Sequence, residues 1–198
     1  MGICRQTMWE GIMTIRAIIG AIAVLAGFAV LEQSVDASTG QAGSCKASQV
    51  YALLHRGESL PVREQPTPEA SVVGVLAARD GGAALQASGV TITASQSGWA
   101  RISLAQAKDY TATEGGAARQ YGWVPADQLA VDTRVDGAIT TYTRPGLMGQ
   151  VTGHIENESG QFRVLGCRGT WLQVIDEAHG NTWIDRWCGR AEGCRRSG

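Results

Sequence analysis

The sequence predicts an all-β protein, two small barrels in tandem, behind a leader that is removed. Three observations carry this. A phrase, PVREQPTPEASVVGVLAA (Pro61–Ala78), returns at an offset of 79 residues as TYTRPGLMGQVTGHI (Thr141–Ile155). Each copy is followed by two short runs that carry a tryptophan and alternate apolar with polar residues, as in Thr170-Trp171-Leu172-Gln173-Val174. Glycine makes up 26 of the 198 residues, and its clusters with Pro, Asn and Ser leave room only for short strands between turns.

The leader comes first in the chain. Ala17–Val30 is an unbroken apolar run of 14 residues. A helix needs roughly 20 residues to span a bilayer, whereas 14 is the length of a secretory h-region. Arg5 and Arg16 supply a basic n-region, and Val35-Asp36-Ala37 is a small-x-small cleavage pattern, which places a signal peptide at 1–37. Met1, Met8 and Met13 all stand as candidate starts, and an uncleaved anchor is the rival reading. Cys45 lies too far beyond the apolar run to be lipidated. Cleavage removes two of 17 basic and three of 18 acidic side chains, so net charge stays near zero. No basic excess exists to attract nucleic acid or an anionic membrane surface, and no membrane insertion is expected after cleavage. The protein is expected to be periplasmic or secreted.

Cysteine usage agrees with export. Of five cysteines, Cys4 falls in the leader, leaving Cys45, Cys167, Cys188 and Cys194, an even number that in an exported chain favours disulfides. Four cysteines allow three pairings. Cys188 and Cys194 are six apart with Gly189 and Gly193 between them, and so short a loop closes at little entropic cost. This favours 188–194 and leaves Cys45 for Cys167. A zinc site from Cys167, Cys188, Cys194 and His179 is the rival, but there is no C-x-x-C pair and export disfavours free thiolates. Neither metal nor cofactor is expected.

The repeat sets the remaining boundaries. With Pro66 on Pro145, Leu60 meets Ile139, Val72 meets Val151, Gly74 meets Gly153 and Leu76 meets Ile155. Downstream, Thr91–Ile102 meets Arg163–Val174, placing Trp99 on Trp171, and Trp123 meets Trp183. The phrases SQSGW and CRGTW read as tight hairpin turns. The first domain is expected at 58–130 and the second, with a Cys-rich tail, at 138–198, joined by a short charged linker at 131–137. An N-terminal segment, 38–57, precedes them; its stretch Ser48–Arg56 reads equally as a short helix or a first strand. The first copy alone carries an insertion, 105–120, rich in Ala, Gly and Thr, expected to be a flexible hairpin extension.

VREQPTPEASVVGVL, then Ser97-Gly98-Trp99-Ala100-Arg101-Ile102, then Tyr121-Gly122-Trp123-Val124 resemble the bacterial SH3-like (SH3b) family, whose opening runs N-V-R-x-x-P…S-x-V-V-G-x-L. The second half resembles it at Gly169–Val174 and Thr182-Trp183-Ile184, while Tyr142-Thr143-Arg144-Pro145 replaces the Val-Arg. WCGRAEGC resembles the Cys-x5-Cys tail of some exported members, and Pro61 stands where the family has Asn. The resemblance implies recognition of a cell-wall peptide or an envelope protein through a groove lined by aromatics and variable loops.

Catalytic chemistry finds no foothold. His55, His154 and His179 sit in no recognisable motif, and the cysteines that could act with them are expected to be oxidised. Asp176-Glu177 and Glu156/Glu158 read as solvated turn charges. No phosphate-binding loop is present, since the glycines at Asp80-Gly81-Gly82 lack its spacing. The protein is therefore not expected to be an enzyme. The aromatics remain. Trp123 and Trp183, retained in both copies beside apolar Val124 and Ile184, are expected in the core. Trp99 and Trp171 follow turns and are expected half exposed. Trp187 aligns with Asp127 and Tyr142 with Arg63, so the fold needs neither. Tyr142, Trp187, Trp99 and Trp171 are the candidate binding residues. The alternative function is an accessory or inhibitor protein that blocks a partner enzyme with the loop at 105–120.

Overall fold

The computed structural model describes residues 43–78, 85–114, 118–156, 160–190 and 194. The signal peptide expected at 1–37 and Glu158 lie outside the described residues, as do parts of the loop at 105–120 and of the Cys-rich tail. The fold is all-β. Its strands are β1 (Gly43–His55), β2 (Ser59–Arg63), β3 (Val72–Ala77), β4 (Leu85–Gln96), β5 (Trp99–Ser103), β6 (Tyr110–Ala112), β7 (Tyr121–Pro125), β8 (Leu129–Asp132), β9 (Ile139–Tyr142), β10 (Val151–Ile155), β11 (Gln161–Arg168), β12 (Trp171–Asp176) and β13 (Gly180–Ile184). Short 3-10 turns at Leu104–Gln106 and Ala126–Gln128 are the described helical turns. The stretch that read as helix or strand is strand, the second half of β1.

The strands form one sheet in the order β10-β9-β13-β12-β11-β8-β1-β4-β5-β7-β2-β3-β6. From the β1/β8 junction outwards the order is β1-β4-β5-β7-β2-β3 on one side and β8-β11-β12-β13-β9-β10 on the other. These are the same elements of the repeat in the same sequence. The pairing agrees residue by residue. Leu60↔Leu76, Val62↔Gly74 and Arg63↔Val72 in the first copy become Ile139↔Ile155, Thr141↔Gly153 and Tyr142↔Val151 in the second. Ile92↔Ile102, Ala94↔Arg101 and Gln96↔Trp99 become Val164↔Val174, Gly166↔Gln173 and Arg168↔Trp171, with the same register shift at the same place. Arg63↔Trp123 becomes Tyr142↔Trp183.

Alternation explains the core. Successive strand residues point to opposite faces, and the inward set is apolar in both copies. Val90, Ile92, Ala100, Ile102 and Val124 match Phe162, Val164, Leu172, Val174 and Ile184, all buried. Each such side chain contributes about 1.5–3 kcal/mol when fully buried. The hairpin turn between β4 and β5 holds Ser97 and Gly98 at φ of 48° and 80°, the left-handed pair that a two-residue turn between right-twisted strands requires.

The two copies expected in tandem share one sheet and one apolar cluster, which run on from one copy into the other. The linker expected at 131–137 enters that sheet at its start. Its first residues belong to β8, and Val131, Asp132, Thr133 and Val135 are buried. β8 is the repeat counterpart of β1: Gln49↔Thr91, Val50↔Val90 and Tyr51↔Gly89 correspond to Ala130↔Arg163, Val131↔Phe162 and Asp132↔Gln161. β1 and β8 then pair with each other at Tyr51↔Ala130 and Ala52↔Leu129. Continued one rung, that register sets Val50 opposite Val131, its own repeat equivalent. The copies therefore meet about a local two-fold axis. The buried Asp132 carboxylate accepts from the Arg134 backbone N–H at 2.7 Å and its Nε at 2.9 Å.

Cys45 is bonded to Cys167 and Cys188 to Cys194, the pairing that spacing favoured. The first bond staples the start of β1 to β11, across the copies. Beside it the Lys46 N–H donates to the Gly169 carbonyl at 2.7 Å. The three cysteines of the zinc alternative, Cys167, Cys188 and Cys194, are thus held in disulfides.

The insertion also differs from expectation. It does not leave the surface as a free hairpin: β6 pairs with β3, setting Tyr110 opposite Leu76 and Ala112 opposite Gly74. The Tyr110 hydroxyl donates to the Val73 carbonyl at 2.8 Å, and Ala107 is buried.

Candidate functional site

On β12, Leu172 and Val174 point inward, so Trp171 and Gln173 lie on the outer face; on β13, Ile184 points inward and Trp183 outward. Ladder pairing sets Trp183 between Gln173 on one side and Tyr142 on the other. The Tyr142 and Trp171 rings meet edge to face, with centroids 5.0 Å apart and planes at 87°, a geometry the ring quadrupoles favour. Gln173 Nε2 donates to Asn181 Oδ1 at 2.9 Å, which fixes the amide beside Trp183. Tyr142, Trp171 and Trp183 are all half-buried, each with a face toward solvent.

Of these three rings, Trp183 borders a cleft of about 720 Å³ formed with the β4–β5 turn of the first copy. Gly43, Ser44, Ser95–Gly98 and Leu165–Gly169 line it, with Gln173 and Trp183 closing one side and Arg168 supplying a cation. Ser95 ties the two copies at its floor: its hydroxyl donates to the Cys167 carbonyl at 3.0 Å and accepts from the Cys167 N–H at 2.9 Å. A wall of glycine and serine backbone beside an indole suits a polar, extended ligand with one apolar face.

The first copy puts other side chains on the same rungs. Trp123 stands between Arg101 and Arg63 and is 9% exposed. Arg63 donates to the Ala70 carbonyl at 2.7 Å, while Arg101 donates to Thr93 Oγ1 at 3.0 Å and lies 4.9 Å from the centre of the Tyr121 ring. Long arginine stems cover apolar surface while their heads stay solvated.

Of the sequence candidates, the fold brings Tyr142 and Trp171 together. Trp99 is half-buried on the outer face of the other copy, directly after the turn that lines the cleft. Trp187 stands elsewhere: its indole N–H donates to the Gln49 carbonyl at 2.9 Å and its ring packs on the core cluster. It ties the C-terminal cystine to β1, where Gly189 approaches so closely that an added Cβ would lie 2.7 Å from the Gln49 oxygen. Trp183, expected in the core, is the residue that sequence reasoning missed. The signal was its neighbour: Ile184 inward requires Trp183 outward.

His179 Nδ1 lies 3.1 Å from Asp176 Oδ1, with the Phe162 ring 5.5 Å away. The cysteines that could serve it as nucleophiles are oxidised. His55 ends β1 and His154 lies on β10, so the fold gathers no histidine cluster among the described residues. Comparison with protein-family models and with curated proteins gives no match.

Proposed function

We propose that this chain is an exported, non-catalytic recognition protein. In this reading each copy is a bacterial SH3-like barrel, with domains at 58–130 and 138–198 and the 131–137 segment as the connection whose first two residues lie in β8. The pair binds a cell-wall peptide or an envelope protein in the periplasm or outside the cell. The observation that carries it is Trp183, bordering the cleft with Gln173 and flanked on its ladder by Tyr142, itself edge to face with Trp171, in the copy where the flanking arginines are replaced by Tyr142 and Gln173. Rigid aromatics contribute binding area at low entropic cost, and exposed backbone in the cleft offers partners to an extended peptide. Arg168 provides for a peptide carboxylate. The two disulfides fit an oxidising compartment.

The test is retention on purified peptidoglycan, with titration of soluble muropeptides. Trp183→Ala and Tyr142→Ala should abolish retention, while Trp99→Ala should leave it intact. Unchanged retention in the Tyr142→Ala/Trp183→Ala double variant would remove this face from consideration.

A further inference from the structure

The two copies differ at one sheet edge, and the difference identifies what that edge takes. In the first copy β3 is covered by β6. The Ala77 N–H donates to the Asp109 carbonyl at 3.0 Å, and the Thr113 N–H donates to the Val73 carbonyl at 3.1 Å. Gly74 is obligatory there, since an added Cβ would stand 2.4 Å from the Thr111 oxygen and 2.4 Å from the Tyr110 ring. In the second copy β12 passes to β13 through a short turn without an insertion, so among the described residues β10, the equivalent of β3, ends the sheet. Glycine is nonetheless present at the matching position. A Cβ on Gly153 would meet nothing nearer than Thr141 Oγ1 at 3.5 Å, so the fold itself does not demand it.

The surroundings change in the same sense. Where the first copy has Pro68 and Glu69, the second has Leu147 and Met148, and both are exposed. Val151, at the start of β10, is exposed as well. An unpaired strand edge with an apolar rim is a liability unless something binds there.

We infer that β10 is a docking edge for an extended segment of a partner protein, added antiparallel as β6 is added to β3. The repeat specifies the segment: an aromatic residue opposite Ile155, where Tyr110 stands opposite Leu76, and a small residue two positions on, opposite Gly153. The same register carried two further residues brings an apolar side chain beside Val151 and the Leu147/Met148 rim. No β10 residue lines the cleft, although Val151 pairs with Tyr142, and the β10 backbone amides report on this edge alone.

The probe is a pair of peptides: Lys108–Glu114 of this chain, KDYTATE, and its Leu-ended relative KDYTATL. Titrated into isotopically labelled protein, both should shift the backbone amides of residues 151–156, with KDYTATL binding more tightly. Gly153→Val should weaken both peptides about tenfold or more while leaving the melting temperature unchanged. Leu147→Ser/Met148→Ser should erase the advantage of KDYTATL. Absence of shifts in these amides at millimolar peptide overturns the proposal. So does a dimer in sedimentation whose β10 amides are already protected, since a second copy would then be the occupant.

Discussion

Trp123 and Trp183 occupy one rung of the repeat and do different work. Trp123 lies between two arginines and is nearly covered; Trp183 lies between a tyrosine and a glutamine and opens onto a cleft. Beneath them the contrast continues. Val62, Val73 and Gly122 correspond to Thr141, Thr152 and Thr182. Their hydroxyls form a chain, at 2.9 Å between the first two and 3.4 Å between the last two, ending 3.2 Å from the Tyr142 carbonyl that Thr182 donates to. The first copy is closed by apolar packing and an added strand; the second keeps the same backbone and leaves its surface available. A repeated strand plan preserves register, while substitution at the outward positions changes which side chains each copy presents.

The largest effect should come from what couples the copies. Cys45–Cys167 spans 122 residues and Cys188–Cys194 spans six. Loop entropy assigns the first about 4–5 kcal/mol and the second about 2 kcal/mol. Urea unfolding of Cys45→Ser/Cys167→Ser and Cys188→Ser/Cys194→Ser should rank them in that order. Equal losses would break the coupling argument.

Next come the paired tryptophans. Trp123→Ala removes a covered ring and should lose about 3 kcal/mol or more. Trp183→Ala, truncating a half-exposed ring, should lose about 1 kcal/mol and shows its main effect in ligand retention. Thermal melts of the two variants measure the difference, and comparable destabilisation would return Trp183 to the core.

The glycines sharpen the contrast. Gly74→Ala meets backbone and a tyrosine ring and should destabilise by about 2 kcal/mol; Gly153→Ala should stay within about 0.5 kcal/mol. Tyr110 adds a pH-dependent effect. Burial pushes its phenol above the usual range, with the Arg119 cation partly offsetting. Because the folded value is raised, the stability gained from the neutral phenol is fully present below about pH 10 and is lost as pH climbs through the folded value. Tyr110→Phe, short of one hydrogen bond, should lose about 1 kcal/mol at neutral pH and no longer show that alkaline component.

Much of this architecture was legible. Pro66/Pro145, the retained glycines and the Trp pairs punctuate the chain at fixed offsets, and pairing register follows punctuation. The junction was not. SQVYALLH carries no clean period, and AVDTRVDG has the charge of a linker, because Asp132 is neutralised locally by Arg134. β6 was hidden because a three-residue strand in an Ala-, Gly- and Thr-rich loop has no hydrophobic period of its own. For the site, residue type misled where alternation would have served. Trp183 was assigned inward for its apolar neighbour, although adjacent strand residues face opposite ways. Trp187 was singled out for lacking a counterpart, whereas its partner is the Gln49 backbone, a contact that no pattern of side chains encodes.

Backbone hydrogen exchange puts the comparison to its most direct trial. Val75 and Ala77 on β3 correspond to His154 on β10 and to Glu156, which follows it. With β6 in place, the first pair should exchange slowly, near the rate of global unfolding, and the second pair should exchange fast. Matched slow exchange at all four would show that both edges are covered and would contradict the open-edge account.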